Sequence, residues 1–165
     1  MSGYIKKIVS GGQTGADRGG LDAAIDVGCD HGGWMPAGRL AEDGVVPEKY
    51  NLQELFSSSY PHRTEQNVID SDATLIFSYG IPQAGSALTV SFAKKHQKPY
   101  LILDLNSSDS LIIDNILTWL YDELRGSQII LNIAGSRESS AIGIEKRVYN
   151  IIKAVLSKQS NIINE

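Results

Sequence analysis

The sequence predicts an α/β fold with three layers, in which a mainly parallel sheet carries helices on both faces. Three observations lead there. Short apolar runs alternate with segments of helical periodicity along the chain. A glycine-rich turn, Ser10-Gly11-Gly12-Gln13-Thr14-Gly15-Ala16-Asp17-Arg18-Gly19-Gly20, separates the first apolar run from the first helical one. The segments that follow three of the runs, 11–18, 79–86 and 134–140, are all rich in Gly and Ser. Strands alternating with helices bury a parallel sheet between two helical layers. Right-handed crossovers then favour a Rossmann-like, doubly wound topology, which binds ligands at the carboxyl ends of its strands. The three Gly/Ser-rich segments would converge on that rim.

Taken in order, residues 5–10 form the first strand and 15–28 the first helix, where Leu21, Ala24 and Ile25 recur at helical spacing. Residues 31–36 give a second strand, weakened by its glycines. Residues 38–55 form an excursion punctuated by Pro36, Gly38, Gly44 and Pro47. An excursion of this length inside a compact domain is usually functional. A short helix at 63–69 precedes a buried strand at 73–78, through Leu75, Ile76 and Phe77. The helix 85–96 puts Leu88 and Phe92 on one face, and Pro99 precedes the strand 100–105. The clearest helix is 109–125, where Ile113, Ile116, Leu117, Leu120, Tyr121 and Leu124 make one stripe. Ser108 or Asp109 caps its start, and Gly126 stands just past its end. Residues 128–134 are the last strand. Ile144, Val148, Ile151, Ile152 and Val155 mark a final amphipathic helix. One domain therefore spans 1–157, and 158–165, with only Ile162 and Ile163 left to bury, is expected to fray.

A strand–glycine–helix turn lets the backbone bend sharply and approach a ligand. It also aims free N–H groups and the positive helix end at that ligand. Gly11, Gly12, Gln13, Thr14 and Gly15 thus read as an anion site, with Asp17 and Arg18 adding side chains. The competing reading is a tight turn whose glycines serve packing alone. The turn matches neither G-x-x-x-x-G-K-[ST] nor a clean G-x-G-x-x-G. A second strand–loop–helix entry offers Tyr79, Gly80, Gly85, Ser86 and Thr89. After the last strand, Gly135, Ser136, Arg137, Glu138 and Ser139 suit an oxyanion. Arg39, beside the acids Glu42 and Asp43, would reach over the pocket from the excursion, and Arg63, Thr64 and Asn67 share one side of a short helix. The backbone N–H groups of 12–15 and 85–86 are expected to supply most of the binding, supplemented by Arg18, Arg39, Arg63 and Arg137.

Hydrophobic residues make up 42% of the chain and charged residues 21%, as in an ordinary globular protein. The formal net charge of −4 argues against a general binder of nucleic acid or membrane surfaces. Four of the six arginines nevertheless lie in or beside Gly/Ser/Pro-rich segments, so a locally positive pocket is expected. Cys29 is the only cysteine, which removes an internal disulfide and a thiolate metal cluster. His31, His62 and His96 lack metal-ligand spacing, and no metal site is expected. With no charged leader and no run of 18 apolar residues, the expected location is cytoplasmic.

Five stretches together resemble the putative molybdenum carrier family, a branch of the SLOG superfamily of Rossmann-like nucleotide-binding proteins. They are the turn from Ser10 to Asp22, Pro36-Ala-Gly-Arg-Leu-Ala-Glu-Asp-Gly44, Tyr60-Pro-His-Arg-Thr-Glu-Gln-Asn67, Asp70-Ser-Asp-Ala-Thr-Leu-Ile76 and Ala134-Gly-Ser-Arg-Glu-Ser139. The resemblance implies a carrier or sensor that binds a phosphorylated nucleotide-like or pterin ligand, with molybdenum cofactor or a nucleotide as the candidate. It also implies a homo-oligomer, a dimer or higher. Lysine-decarboxylase-like phosphoribohydrolases share the general plan and place P-G-G-x-G-T-x-x-E at a helix entry. Here the corresponding stretch is Pro82-Gln-Ala-Gly85-Ser-Ala-Leu-Thr-Val90, with no glutamate where those enzymes carry their acid. Binding is therefore favoured, and a phosphoribohydrolase-like enzyme acting on a nucleotide, with Asp17 or Glu138 as acid/base, is the alternative.

Overall fold

Alternating apolar runs produce the expected three layers in the computed structural model, which describes residues 4–125 and 127–163. β1 (Tyr4–Val9) leads through the glycine turn into α1 (Ala16–Val27), and Gly28 ends that helix in the left-handed conformation, φ 72°. β2 (Asp30–Gly32) follows. The strand expected at 31–36 is broken at Gly33 (φ 127°), where a Cβ would fall 2.2 Å from the Ser10 carbonyl oxygen. Beyond that break the excursion holds β3 (Trp34–Met35), the hairpin of β4 (Leu40–Ala41) and β5 (Gly44–Val45), and β6 (Gln53–Glu54), which pairs with β3. It has its own small core, in which Met35, Ala41, Val46, Tyr50 and Leu52 pack on Leu21 of α1.

α2 (Tyr60–Ile69) begins three residues before its expected start, because the Ser59 hydroxyl accepts the His62 N–H and Pro61 suits a first turn. β7 (Ala73–Ser78), α3 (Ala84–Lys95), β8 (Tyr100–Asp104) and α4 (Asp109–Glu123) come next. Ser108 caps α4 by accepting the Leu111 N–H, and the stop expected at Gly126 lies outside the described residues. β9 (Gln128–Gly135) and α5 (Ile144–Ile163) complete the chain. α5 is helical through Ile163, past residue 158 where fraying is expected to begin, and residues 164 and 165 lie outside the described set. One reason is Gln159, whose side-chain amide accepts the Ile5 N–H at 2.9 Å and donates to the Ile5 carbonyl at 3.2 Å. It does so beside the bulge between Ile5 and Lys7, where β1 shifts register on β9.

The central sheet has the order β2-β1-β9-β7-β8, and every pairing is parallel. Its two faces differ chemically. α1, α4 and α5 cover one, burying Ile5, Ile8, Leu75, Phe77, Leu131 and Ile133 in the main core. Strand alternation turns Thr74, Ser78 and Asn132 to the opposite face, under α2 and α3. These polar groups are buried, and the Asn132 amide donates to the Thr74 hydroxyl at 3.3 Å. One face builds the core and the other is prepared for polar contact. No helix among the described residues is long and apolar enough to cross a membrane.

Candidate functional site

Because the strands are parallel, β1, β7 and β9 end on the same edge. There, on the polar face, they enclose a cavity of about 340 Å³, within the range of small-molecule sites. Gly11, Gln13 and Asp17 line it from the glycine turn, and Arg63, Thr64 and Asn67 from α2. Tyr79, Gly85, Ser86 and Thr89 come from the β7–α3 entry, and Gly135, Ser136 and Arg137 from the end of β9. The three Gly/Ser-rich segments thus share one rim.

The glycine turn does not present open N–H groups there. Gly12 N–H donates to Ser10 Oγ (3.4 Å), Gln13 N–H to Asp17 Oδ2 (3.2 Å), Thr14 N–H to Gln13 Oε1 (3.0 Å) and Gly15 N–H to Glu145 Oε2 (3.1 Å). All four expected donors already have partners within the protein. The glycines answer to packing instead. A Cβ on Gly12 would meet Leu52 Cδ1 at 2.7 Å, in the core of the excursion and away from the cavity. One on Gly15 (φ 86°) would lie 2.4 Å from the Ser136 carbonyl oxygen, so the first turn and the β9–α5 loop touch backbone to backbone.

The arginines divide two and two. Arg18 donates to the Gly12 carbonyl at 3.0 Å and holds Asp43 with both terminal nitrogens, at 2.6 and 2.8 Å. Arg39 (φ 57°) donates to the carbonyls of Val46 and Pro47. Both pin the excursion, and neither lines the cavity. Arg63 does line it, donating to the Gly11 carbonyl at 2.9 Å and standing 3.7 Å from Asp17. Burial pushes the Asp17 carboxyl above its ordinary range, opposed by Arg63 and by backbone N–H donors. Arg137 is half-exposed and only loosely paired, 3.7 Å from Glu42.

Asn67 is a clamp: its amide accepts the Trp34 N–H at 2.8 Å and donates to the Trp34 carbonyl at 2.9 Å. Glu138 closes the start of α5, accepting the N–H groups of Gly143 (2.5 Å) and Glu145 (3.3 Å). At the β7–α3 entry the backbone is more open. The Ser78 hydroxyl donates to the Gly80 carbonyl, Gly80 N–H donates to Asp104, and Thr89 donates to the Gly85 carbonyl. The N–H groups of Ala84 and Gly85 have no acceptor among the described residues, whereas the Ser86 N–H, also expected to be open, donates to the Gln83 carbonyl at 3.1 Å.

Among the side chains, Gln13 stands apart. It is 6% exposed, and its Oε1 accepts both Thr14 N–H (3.0 Å) and Glu42 N–H (2.9 Å). Two N–H neighbours fix that atom as the oxygen and leave the amide nitrogen on the other side. Among the described residues, that nitrogen is the one buried side-chain N or O atom without a partner.

Residues 8–156 match the model of the circularly permutated YpsA SLOG family. The chain belongs to this family. A crystal structure of a putative molybdenum carrier protein from Syntrophus aciditrophicus is similar to it, at TM-score 0.89 and 46% identity, covering 94% of this chain and 98% of that one. No curated protein matches the chain.

In this SLOG chain several contributors carry little local signal. Glu145 and Arg147 lie on α5 and read as ordinary helix surface, yet Glu145 takes the Gly15 N–H and Arg147 braces the rim. Arg147 donates to the Tyr79 hydroxyl (3.2 Å), the Ser107 carbonyl (2.7 Å), the Leu105 carbonyl and Asp109 (2.8 Å). Asn132 was detectable, as the one polar residue inside the run Ile129-Ile-Leu-Asn-Ile133. Among the described residues no group of three or more His, Cys, Asp or Glu is placed to hold a metal ion.

Proposed function

We propose that this protein binds a phosphorylated nucleotide-like or pterin ligand in the cavity without transforming it, as a carrier or sensor. The unpartnered Gln13 amide nitrogen carries the proposal. A buried donor left without an acceptor costs about 1–3 kcal/mol, and a ligand oxygen or ring nitrogen on the cavity side would remove that cost. Arg63, Arg137 and the free N–H groups of Ala84 and Gly85 add positive character for a phosphate. The Syntrophus aciditrophicus protein is named a putative molybdenum carrier, and the family resemblance makes molybdenum cofactor, a phosphorylated pterin bearing molybdenum, the first ligand to test. The donor-rich wall fits both parts of such a cargo, its phosphate and its acceptor-bearing ring.

Calorimetry with nucleotides and pterin phosphates tests this reading. Gln13→Ala and Arg63→Ala should each weaken binding roughly tenfold or more, at about 1.4 kcal/mol per decade. Unchanged affinity in both would remove the assignment. One observation favours the alternative, a phosphoribohydrolase-like enzyme: Asp17 sits on the cavity wall with its proton affinity raised by burial, as a general acid requires. Turnover of a nucleotide that Asp17→Asn abolishes would move the function there. In this proposal the acting form is a cytoplasmic homo-oligomer, supported by exposed Ile81 and Ile142 near the rim. Sedimentation showing only a 17.9 kDa species would count against the oligomer.

A further inference from the structure

Beside the cavity lies a set of donors that one of the protein's own carboxylates fills. Thr14 Oγ1 accepts the Glu138 N–H at 3.2 Å, so its proton is free to donate, and it donates to Glu42 Oε1. The Ser139 N–H donates to the same oxygen at 3.2 Å, and the Ser139 hydroxyl donates to Glu42 Oε2 at 2.5 Å. Arg137 Nη1 stands 3.7 Å from Oε2. Two hydroxyls, one backbone N–H and one guanidinium, from two loops of the rim, make a donor set suited to a tetrahedral oxyanion. Although partial burial opposes it, the bonds from Ser139 and Thr14 hold the Glu42 carboxyl below its ordinary range.

Two links tie this nest to the cavity. Arg137 belongs to both. Gln13, which lines the cavity, holds the Glu42 backbone through its oxygen at 2.9 Å. The next residue, Asp43, is pinned by Arg18, so the Glu42 side chain can rotate to solvent without unfolding the β4–β5 hairpin.

We propose that Glu42 is a built-in, displaceable occupant of an anion subsite formed by Thr14, Ser139 and Arg137, and that a phosphate group exchanges with it. The assignment of the phosphate to the cavity's ligand rests on the function proposed above; the subsite itself does not. Its cargo is a tetrahedral oxyanion, either free or carried on a small molecule.

Calorimetric titration of the full chain with inorganic phosphate, and in parallel with a nucleoside monophosphate, tests the idea. Glu42→Ala empties the nest and should bind inorganic phosphate about tenfold more tightly than the wild type. Glu42→Gln, which keeps the shape and loses the charge, should show a smaller gain in the same direction, and serves if the alanine variant does not fold. Adding Ser139→Ala to either variant should return the affinity to the wild-type level. A gain for the nucleoside monophosphate that exceeds the gain for free phosphate identifies the ligand's own phosphate as the exchanging group; equal gains identify a free oxyanion. Asp43→Asn loosens the hairpin and leaves Glu42 in place, so it should gain nothing. Absence of a gain in a folded Glu42 variant, or an equal gain in Asp43→Asn, would overturn the proposal. Neither result touches the titrations of the wild type and Arg63→Ala, since Arg63 contacts Gly11 and Asp17 rather than the nest, so the two readings fail separately.

Discussion

Two strand–glycine–helix entries open on one sheet edge, on either side of β9, and behave in opposite ways. At the β1–α1 turn the N–H groups of Gly12, Gln13, Thr14 and Gly15 are all consumed internally, and a Cβ on Gly15 would strike backbone. At the β7–α3 entry, Ala84 and Gly85 keep N–H groups without an acceptor among the described residues, and a Cβ on Gly80 or Gly85 would meet nothing within 4 Å. The richer glycine motif is therefore the closed one. Its glycines bring chain segments together, and those of the second entry leave a space. A glycine-rich turn reports that something comes close; the something can be the protein itself.

The comparison predicts its largest effect at paired alanine substitutions. Gly15→Ala combines a left-handed φ with a backbone clash and should cost about 3 kcal/mol or more, whereas Gly85→Ala should stay within about 0.5 kcal/mol. Equal urea midpoints for the two variants would break the contrast.

Next comes Arg63→Ala, which leaves the Asp17 carboxylate buried without its neighbouring charge and should destabilise the fold by about 2–4 kcal/mol at neutral pH. Burial raises the Asp17 pKa above the 3.8 of an exposed aspartate, so folding takes up a proton there. Its stabilising contribution is complete below that value and is lost as the pH rises through the raised one. Wild-type stability should carry this fall, Asp17→Asn should lack it, and Arg63→Ala should show it shifted to higher pH. Urea unfolding followed from about pH 4 upward would show all three.

A smaller contrast separates the outward arginines from the inward ones. Arg39→Ala should lower stability by about 1 kcal/mol, through the lost bonds to Val46 and Pro47, and leave phosphate-ligand affinity alone. Arg137→Ala should do the reverse, with affinity falling about tenfold and stability unchanged. The smallest effect belongs to Ala84, which holds φ 49° at the mouth of the cavity. Ala84→Gly should relieve that strain and stabilise the protein by up to about 1 kcal/mol, read as a rise in melting temperature.

The layers were legible because β7, α4 and β9 announce themselves within their own residues, by run length and by stripe. The shared rim was legible for a related reason: parallel strands must end together, wherever their loops then go. What the chain hid were the partners of exposed-looking donors. The acceptor for Gly15 N–H sits 130 residues away on α5, and the one for the Arg18 guanidinium 25 residues away in the hairpin. No local pattern marks a donor as already engaged. The excursion concealed its small core likewise, since Met35, Val46, Tyr50 and Leu52 follow no repeat. Asn132 shows the converse, a single polar residue in an apolar strand, a local signal for the sheet's polar face although the expected site did not include it.

Gln159 closes the molecule on itself. Its amide offers Ile5 the acceptor and donor that a neighbouring strand would otherwise supply, so the start of β1 and the far part of α5 meet without a peptide link. A short covalent bridge between these two places would turn the chain into a ring. Cutting that ring at the exposed β4–β5 turn would create new termini without unpairing a single strand of the central sheet. The order in which the elements are synthesised is thus free to rotate, whereas the position of β9 between β1 and β7 is not.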